Sequence, residues 1–389
     1  MHSKQGGLFN QIKTIRKELH RCPEASYEEY QTTRIIKEAV TSWGLDFIPF
    51  KNLDTGGYCD IGEGDIYCFR SDIDALPVTE NSSHEIISEN SGFMHACGHD
   101  FHTAAGLGLI KYFMENKQLL KGRLRVIFQP GEEAAPGGAE AVINENIWEN
   151  VLGILTVHVG LTGRPGQFIL SEGAVQASST SMKIELTGPG GHTSAPFESV
   201  DIINVCSYYI AQLQSHLDRK TDARDTLAFA FGSINGGTEH NIIPQSINLR
   251  GTIRTHNNDV LLKSLQIIRD FSSAFEKIHG IKINVQFPTS CPPAVNDRQL
   301  CRLFIDFMKK SGRENSLIMM DKPSMGADDF SFYLDKAPGL YLIAGGEGRG
   351  ALHSGDFFLD DSILEPIVIN TAEFISFLFQ QREPCRNTK

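Results

Sequence analysis

Apolar residues recur at helical spacing near the start of the chain, at Leu8, Ile12, Ile15 and Leu19, until Pro23 breaks the run. Ser26 with Glu29 three positions on reads as a capping box, which predicts a helix from there to Trp43 with Gly44 ending it. The pattern then shifts to short apolar blocks. Ile66-Tyr67-Cys68-Phe69 predicts a buried strand that delivers Arg70-Ser71-Asp72-Ile73-Asp74 at its end. Residues 124–128 predict a second strand, delivering Pro130-Gly131-Glu132-Glu133, and residues 154–157 a third, delivering His158. Small and apolar residues from Phe101 to about Glu115 predict a helix between the first two. Strands alternating with helices, with polar residues at the strand ends, describe a doubly wound α/β sheet whose ligand crevice lies at the carboxyl ends of the strands.

The texture changes near Gln176. Ser181-Met182-Lys183-Ile184-Glu185-Leu186 alternates like a strand with one exposed face. A helix over 200–217, strands over 227–234 and 247–253, a helix over 260–278 and a strand over 281–287 complete a compact α+β insert. After Cys291-Pro292-Pro293 the helix–strand alternation resumes. The expected organisation is a catalytic, metal-binding domain formed by 1–175 and 291–389, interrupted by an inserted domain at 176–290. There is no internal repeat or low-complexity tract, and the glycine-rich pieces lack the lysine of a phosphate-binding loop.

Composition narrows the function classes. A chain of 389 residues suits two domains. The formal net charge of −11 argues against nucleic acid or an anionic membrane as partner, since both reward basic patches. No uninterrupted apolar run of about 18 residues is present, so no membrane span is expected. The N-terminal segment shows no signal-peptide hydrophobic region, and eight scattered cysteines fit buried reduced thiols better than a disulfide framework. The expected compartment is the cytoplasm.

Met94-His95-Ala96-Cys97-Gly98-His99-Asp100-Phe101-His102 concentrates a thiol, three imidazoles and a carboxylate in nine residues. Such ligands point to a transition metal, and the spacing is not that of a closed structural zinc site. Glu132, Glu133, His158 and His353 are further candidate ligands from distant segments, so a catalytic site is the better reading. Adjacent glutamates can divide the work: Glu133 as ligand, Glu132 as general base. Asp74 is read as accepting the ring N–H of a ligating histidine. Asp72 is either a turn cap or part of the site, and His95 and His102 are read as supports or surface residues. A Cys97 nucleophile paired with His99 leaves the glutamates unexplained. In the insert, His192 in a glycine-rich turn is either an ordinary turn histidine or an oxyanion stabiliser. Asn241 and Arg254 are similar cases, with Arg254 suited to a substrate carboxylate.

Arg70-Ser71-Asp72-Ile73-Asp74-Ala75-Leu76-Pro77, the Met94–His102 stretch, Gln129-Pro130-Gly131-Glu132-Glu133, Gly191-His192, Asn241-Ile242-Ile243-Pro244, Gly251-Thr252-Ile253-Arg254 and Leu352-His353-Ser354 occur in an order that resembles the M20 metallopeptidase-fold amidohydrolases. The resemblance is to the branch that hydrolyses N-acyl, hippurate-type and indoleacetyl amino acids. It implies two divalent metal ions held by Cys97, His99, Glu133, His158 and His353, with Glu132 as base. It also implies a zinc-peptidase-like domain, a lid domain that mediates dimerisation, and a His192 that reaches the partner subunit's site. A homodimer or a dimer of dimers is therefore expected. The thiolate favours zinc over manganese, cobalt or nickel. Two departures stand out: segment 79–91 lacks the Gly-Leu-Pro-Tyr-like sequence of relatives, and Asp328 stands where they carry glutamate.

The expected activity is removal of an N-acyl group from a small amino-acid conjugate. The rivals are an aminopeptidase or dipeptidase on the same scaffold, and a catalytically silent metal-bearing dimer. Retention of Glu132 speaks against the silent protein.

Overall fold

Parallel strands at the centre of one sheet carry Asp74, Glu132, Glu133 and His158 at or just beyond their carboxyl ends. The computed structural model describes residues 2–81 and 86–381, so part of segment 79–91 and Cys385 lie outside the described residues. The chain forms two compact units, the first comprising Met1–Gly173, Val295–Lys322 and Asp329–Lys389, the second Ala174–Ala294 with Pro323–Asp328.

In the first unit, helices α1 (His2–Arg21) and α2 (Tyr30–Ser42) precede strands β1 (Ile48–Pro49), β2 (Gly57–Gly62) and β3 (Ile66–Asp72). Helix α3 (His99–Glu115), strand β4 (Arg123–Gln129), the short helix α4 (Gly138–Val142), β5 (Val151–Gly160) and β6 (Phe168–Leu170) follow. The eight-stranded sheet runs β1, β2, β4, β3, β5, Gly339–Gly345, β6, Leu317–Met319. Its centre is parallel: β4 and β5 flank β3, and Gly339–Gly345 flanks β5. Every residue of β3 is buried. That explains why its sequence reads as a block rather than an alternation.

Helix α3 begins at His99, two residues earlier than expected, because Gly98 takes a left-handed conformation (φ 81°) that turns the chain into the helix. The capping box at Ser26 does not form. Helix α2 starts at Tyr30 and has no side-chain cap, and Ser26 and Glu29 bond elsewhere. One segment, Asp361–Gln380, is long and apolar enough to cross a membrane by length and composition. It is two-thirds buried, and Val368 packs on Gly108 of α3, as in a core helix. Its Asp, Ser, Asn, Thr and Glu residues interrupt the apolar run.

The second unit is an antiparallel sheet in the order Leu227–Asn235, Ser246–Thr255, Ser179–Thr187, Lys282–Gln286. Residues 179–187 alternate in burial, and Ile184 and Leu186 join Tyr209 and Leu213 of helix Ile202–Lys220 and Ile268 and Phe275 of helix Asn258–His279 in one core. One covered face and one open face give the period-2 pattern of its strands.

Candidate metal centre and its neighbours

The ends of β3, β4 and β5, the turn before α3 and the loop after Gly339–Gly345 bring seven of the predicted site residues together in the first unit. Among the described residues, these predicted site residues form three clusters of ligand atoms, each spanning no more than 4.8 Å: Cys97 with His99 and His158, Cys97 with Glu133 and His353, and His99 with Glu132 and Glu133. Cys97 Sγ is 3.5 Å from His158 Nε2 and 3.3 Å from His353 Nε2, and His353 Nε2 is 3.3 Å from Glu133 Oε1. Ligand atoms at zinc's usual bond lengths in tetrahedral geometry lie about 3.4–3.6 Å apart.

Hydrogen bonds on the far side of each ring decide which nitrogen faces the cluster. His99 Nδ1 is 3.0 Å from the Asp74 carbonyl and 3.2 Å from Asp74 Oδ1. His158 Nδ1 is 2.7 Å from the Val159 carbonyl. A carbonyl cannot donate, so each Nδ1 carries the proton and each Nε2 lone pair turns inward. His99 Nε2 and Glu133 Oε1 are buried without a hydrogen bond of normal geometry. Inward lone pairs, orphaned acceptors and tetrahedral spacing fit a divalent cation. His353 sits at φ 64°, a left-handed conformation held by its N–H bond to the Ala96 carbonyl. Burial pushes the Cys97 thiol up while His353 and His99 pull it down; a bound cation holds such a thiol deprotonated.

Behind the cluster lies a buried network that the sequence did not announce. Arg70, 1% exposed, donates to Gln129 Oε1 at 2.8 Å, to Asp329 Oδ1 at 2.7 Å and to Asp72. His102 Nε2 accepts the Val159 N–H at 2.9 Å, so its Nδ1 donates to Asp72 Oδ1 at 2.5 Å. Both Asp72 oxygens are thus engaged by a buried arginine and a buried histidine, and the turn-cap reading is set aside. Burial opposes ionisation of Asp72, but Arg70, His99 and His102 outweigh it and hold its carboxyl well below the ordinary range. The available signal was a single arginine ending an apolar block; nothing local marked Asp329 as its partner. His95 is buried, and burial pushes its pKa down to about 4, which keeps the ring neutral.

His192, Asn241 and Arg254 belong to the second unit. The short strand Gly191–His192 pairs with Ile242–Ile243, and the Thr193 N–H bonds to the Asn241 carbonyl at 3.2 Å, so His192 and Asn241 are neighbours. His192 Nδ1 accepts from the Ser194 backbone N–H at 3.0 Å, which places the proton of the neutral ring on the exposed side, at Nε2. Arg254, on Ser246–Thr255, donates to the Met325 carbonyl at 2.8 Å and forms no ion pair among the described residues. A guanidinium without a carboxylate partner is free to meet an anion.

The model of peptidase family M20/M25/M40 matches residues 68–376. The chain belongs to the M20 peptidase family. The N-acetyl-L-cysteine deacetylase of Bacillus subtilis is 34% identical to this M20 protein over 92% of it and 85% of the relative. The thermostable carboxypeptidase 1 of Saccharolobus solfataricus is 33% identical, over 91% and 92%. Among solved structures, a Bacillus subtilis protein described as a dinuclear metal-binding peptidase of the M20 family aligns with TM-score 0.85 at 26% identity, covering 96% of this chain and 99% of that one.

Proposed function

We propose that this M20 protein is a metal-dependent amidohydrolase that removes the acyl group from an N-acyl amino acid. The observation that carries the reading is the convergence of one thiol, three imidazoles and Glu133 at metal-ligand spacing, with Glu132 beside His99 at 3.9 Å. Cys97, His99, Glu133, His158 and His353 would hold the metal, and the overlap of their clusters supports two ions. Zinc suits a mixed sulfur, nitrogen and oxygen set, with manganese, cobalt and nickel as alternatives. When bound, such ions polarise the scissile carbonyl and lower the pKa of water.

The remaining work falls to the chain. Glu132 takes the proton from the attacking water and passes it to the departing amine nitrogen. Asp74 fixes the His99 ring through Nδ1. His192, with its proton on Nε2, donates to the oxyanion that develops as the carbonyl is attacked. Arg254 holds the substrate carboxylate, a local positive site on a chain of net charge −11. Asn241, next to His192, supplies a donor for the acyl carbonyl.

We read the chain as a homodimer in which the second unit serves as lid and dimerisation domain and His192 acts in the partner subunit's site. The seven described cysteines are all free, which fits a reducing compartment such as the cytosol. The relative named a carboxypeptidase favours a second reading, cleavage of a peptide's C-terminal residue, which also needs a carboxylate site. A screen of the metal-loaded protein against N-acetyl, N-benzoyl and longer N-acyl amino acids, with free dipeptides and N-blocked peptides alongside, separates the two. N-acyl amino acids should be cleaved well ahead of free dipeptides. Faster turnover of dipeptides than of every N-acyl amino acid would overturn the assignment.

A further inference from the structure

The residues that sequence pattern assigns to a capping box do something else. Glu29 is fully buried, and it makes no ion pair among the described residues. Its Oε1 accepts the backbone N–H of Tyr27 and that of Gly131, each at 2.8 Å, and its Oε2 accepts the Thr55 hydroxyl at 2.6 Å. A carboxyl without a cation costs stability in an apolar interior unless hydrogen bonds compensate, and here three do. Burial pushes its pKa up to about 7 against the Thr55 bond, with nearby Asp74 adding to the rise, so a neutral amide is a fair mimic of it.

Its neighbours reach the same turn. Tyr27 sits at φ 68°, a left-handed conformation unusual for a bulky residue. Its hydroxyl donates to the Pro136 carbonyl at 2.6 Å. Its ring packs so closely on Gly131 that a Cβ there would lie 2.7 Å from it. Ser26 Oγ donates to Asp74 Oδ2 at 2.6 Å, and that oxygen accepts the Glu133 N–H at 2.9 Å. Residues 26–29 therefore grip the backbone on both sides of Glu132, directly at Gly131 and Pro136 and through Asp74 at Glu133. Gly131 itself is left-handed (φ 67°), so the turn has no regular ladder to hold it.

We propose that Ser26, Tyr27 and Glu29 form a clamp that sets the Glu132–Glu133 turn, with Glu29 as the positioning residue for the Glu132 carboxylate. Fixing a base matters because a misplacement of about 1 Å can cost about 100-fold in rate. Strained backbone at Tyr27 and a buried carboxyl without a cation are costs that apolar packing would have avoided, and such costs gather where geometry serves function. The role of Glu132 rests on the amidohydrolase reading; the grip on the turn does not.

The test compares metal-loaded wild type, Glu29→Ala, Glu29→Gln and Tyr27→Phe by kcat and KM on the best N-acyl amino acid, and by hydrogen exchange over residues 129–136. Thermal melting checks folding. Glu29→Ala should lose about 10–100-fold in kcat with KM within about threefold, and the Gly131 and Glu133 amides should exchange at least about tenfold faster. Glu29→Gln keeps an acceptor for both amides and should restore kcat and protection to within about threefold of wild type. Tyr27→Phe, which loses one bond and keeps the ring, should show a smaller loss of both. A folded Glu29→Ala protein with wild-type kcat, an equal loss in the glutamine variant, or a loss confined to KM overturns the clamp. If Glu29→Ala does not fold, full kcat and unchanged exchange in Tyr27→Phe overturn it. If wild type cleaves no substrate, the functional reading fails, and the exchange rates alone decide the clamp.

Discussion

Gly98 links two candidate ligands, Cys97 and His99, and tolerates no side chain. It lies at φ 81°, where an L-residue pays about 1–2 kcal/mol relative to glycine. A Cβ would also collide with Cγ2 of Val159, a β-branched residue 1% exposed that cannot swing aside. Overpacking of this kind costs about 1–3 kcal/mol, so Gly98→Ala should destabilise the first unit by about 2–5 kcal/mol. Trp43 and Trp148, the two tryptophans of the chain, both lie in that unit, so tryptophan fluorescence in a urea titration follows its unfolding. The titration is best run on chelator-treated protein, so that metal binding does not enter. Val159→Ala alone should cost about 1–3 kcal/mol through the cavity it leaves. The double variant should be more stable than the sum of the two losses by about 1–3 kcal/mol, because the new methyl fills part of that cavity. The residual loss reports the backbone cost. Metal titration of Gly98→Ala should then show weakened binding, since the strain falls between two candidate ligands. Gly98→Ala within about 0.5 kcal/mol of wild type, or strictly additive losses, would refute the reasoning.

Glu132→Gln should lose about 10²–10⁴-fold in turnover with metal content unchanged by elemental analysis, and its mixture with His192→Ala subunits should regain activity if the subunits share sites. Cys97→Ser should bind metal more weakly in a competitive chelator titration, since a hydroxyl replaces a thiolate; wild-type occupancy and turnover would make the thiol merely structural. His20 lies 2.8 Å from Asp100 Oδ2 and 3.4 Å from Glu80 Oε1. Burial pulls its pKa down, but those carboxylates outweigh burial and raise it to about 9. Raised above the ordinary 6.5, it contributes stability that is full below about pH 6.5 and lost as pH climbs through 9. The urea midpoint of wild type should therefore fall toward that of His20→Gln across this window, and parallel profiles would exclude the linkage. Arg254→Met should raise KM for an N-acyl amino acid far more than for its carboxyl-amidated analogue, and equal effects on both would remove Arg254 from carboxylate binding.

Local chemistry determined much of this protein. The blocks at 66–69, 124–128 and 154–157 became β3, β4 and β5, because a strand covered on both faces needs apolar residues throughout. The candidate ligands could be picked out because Cys97 and His99 are joined by Glu133, His158 and His353 in an order that resembles the M20 family, whereas any one of these side chains alone is more often structural. Period-2 alternation marked the strands of the second unit for the converse reason, since one face of that sheet stays open. Only the tertiary structure decided the rest. Strand order depends on which surfaces pack, and it is packing that brings His353 to Cys97 across 256 positions and Asp329 to Arg70 across 259. The tautomers of His99 and His158 follow from carbonyls placed by that packing. Ser26 and Glu29 show the limit most plainly. Their spacing matches a local hydrogen-bonding motif, but stronger partners at Asp74, Gly131 and Thr55 take their side chains instead, and those partners become neighbours only once the sheet has formed.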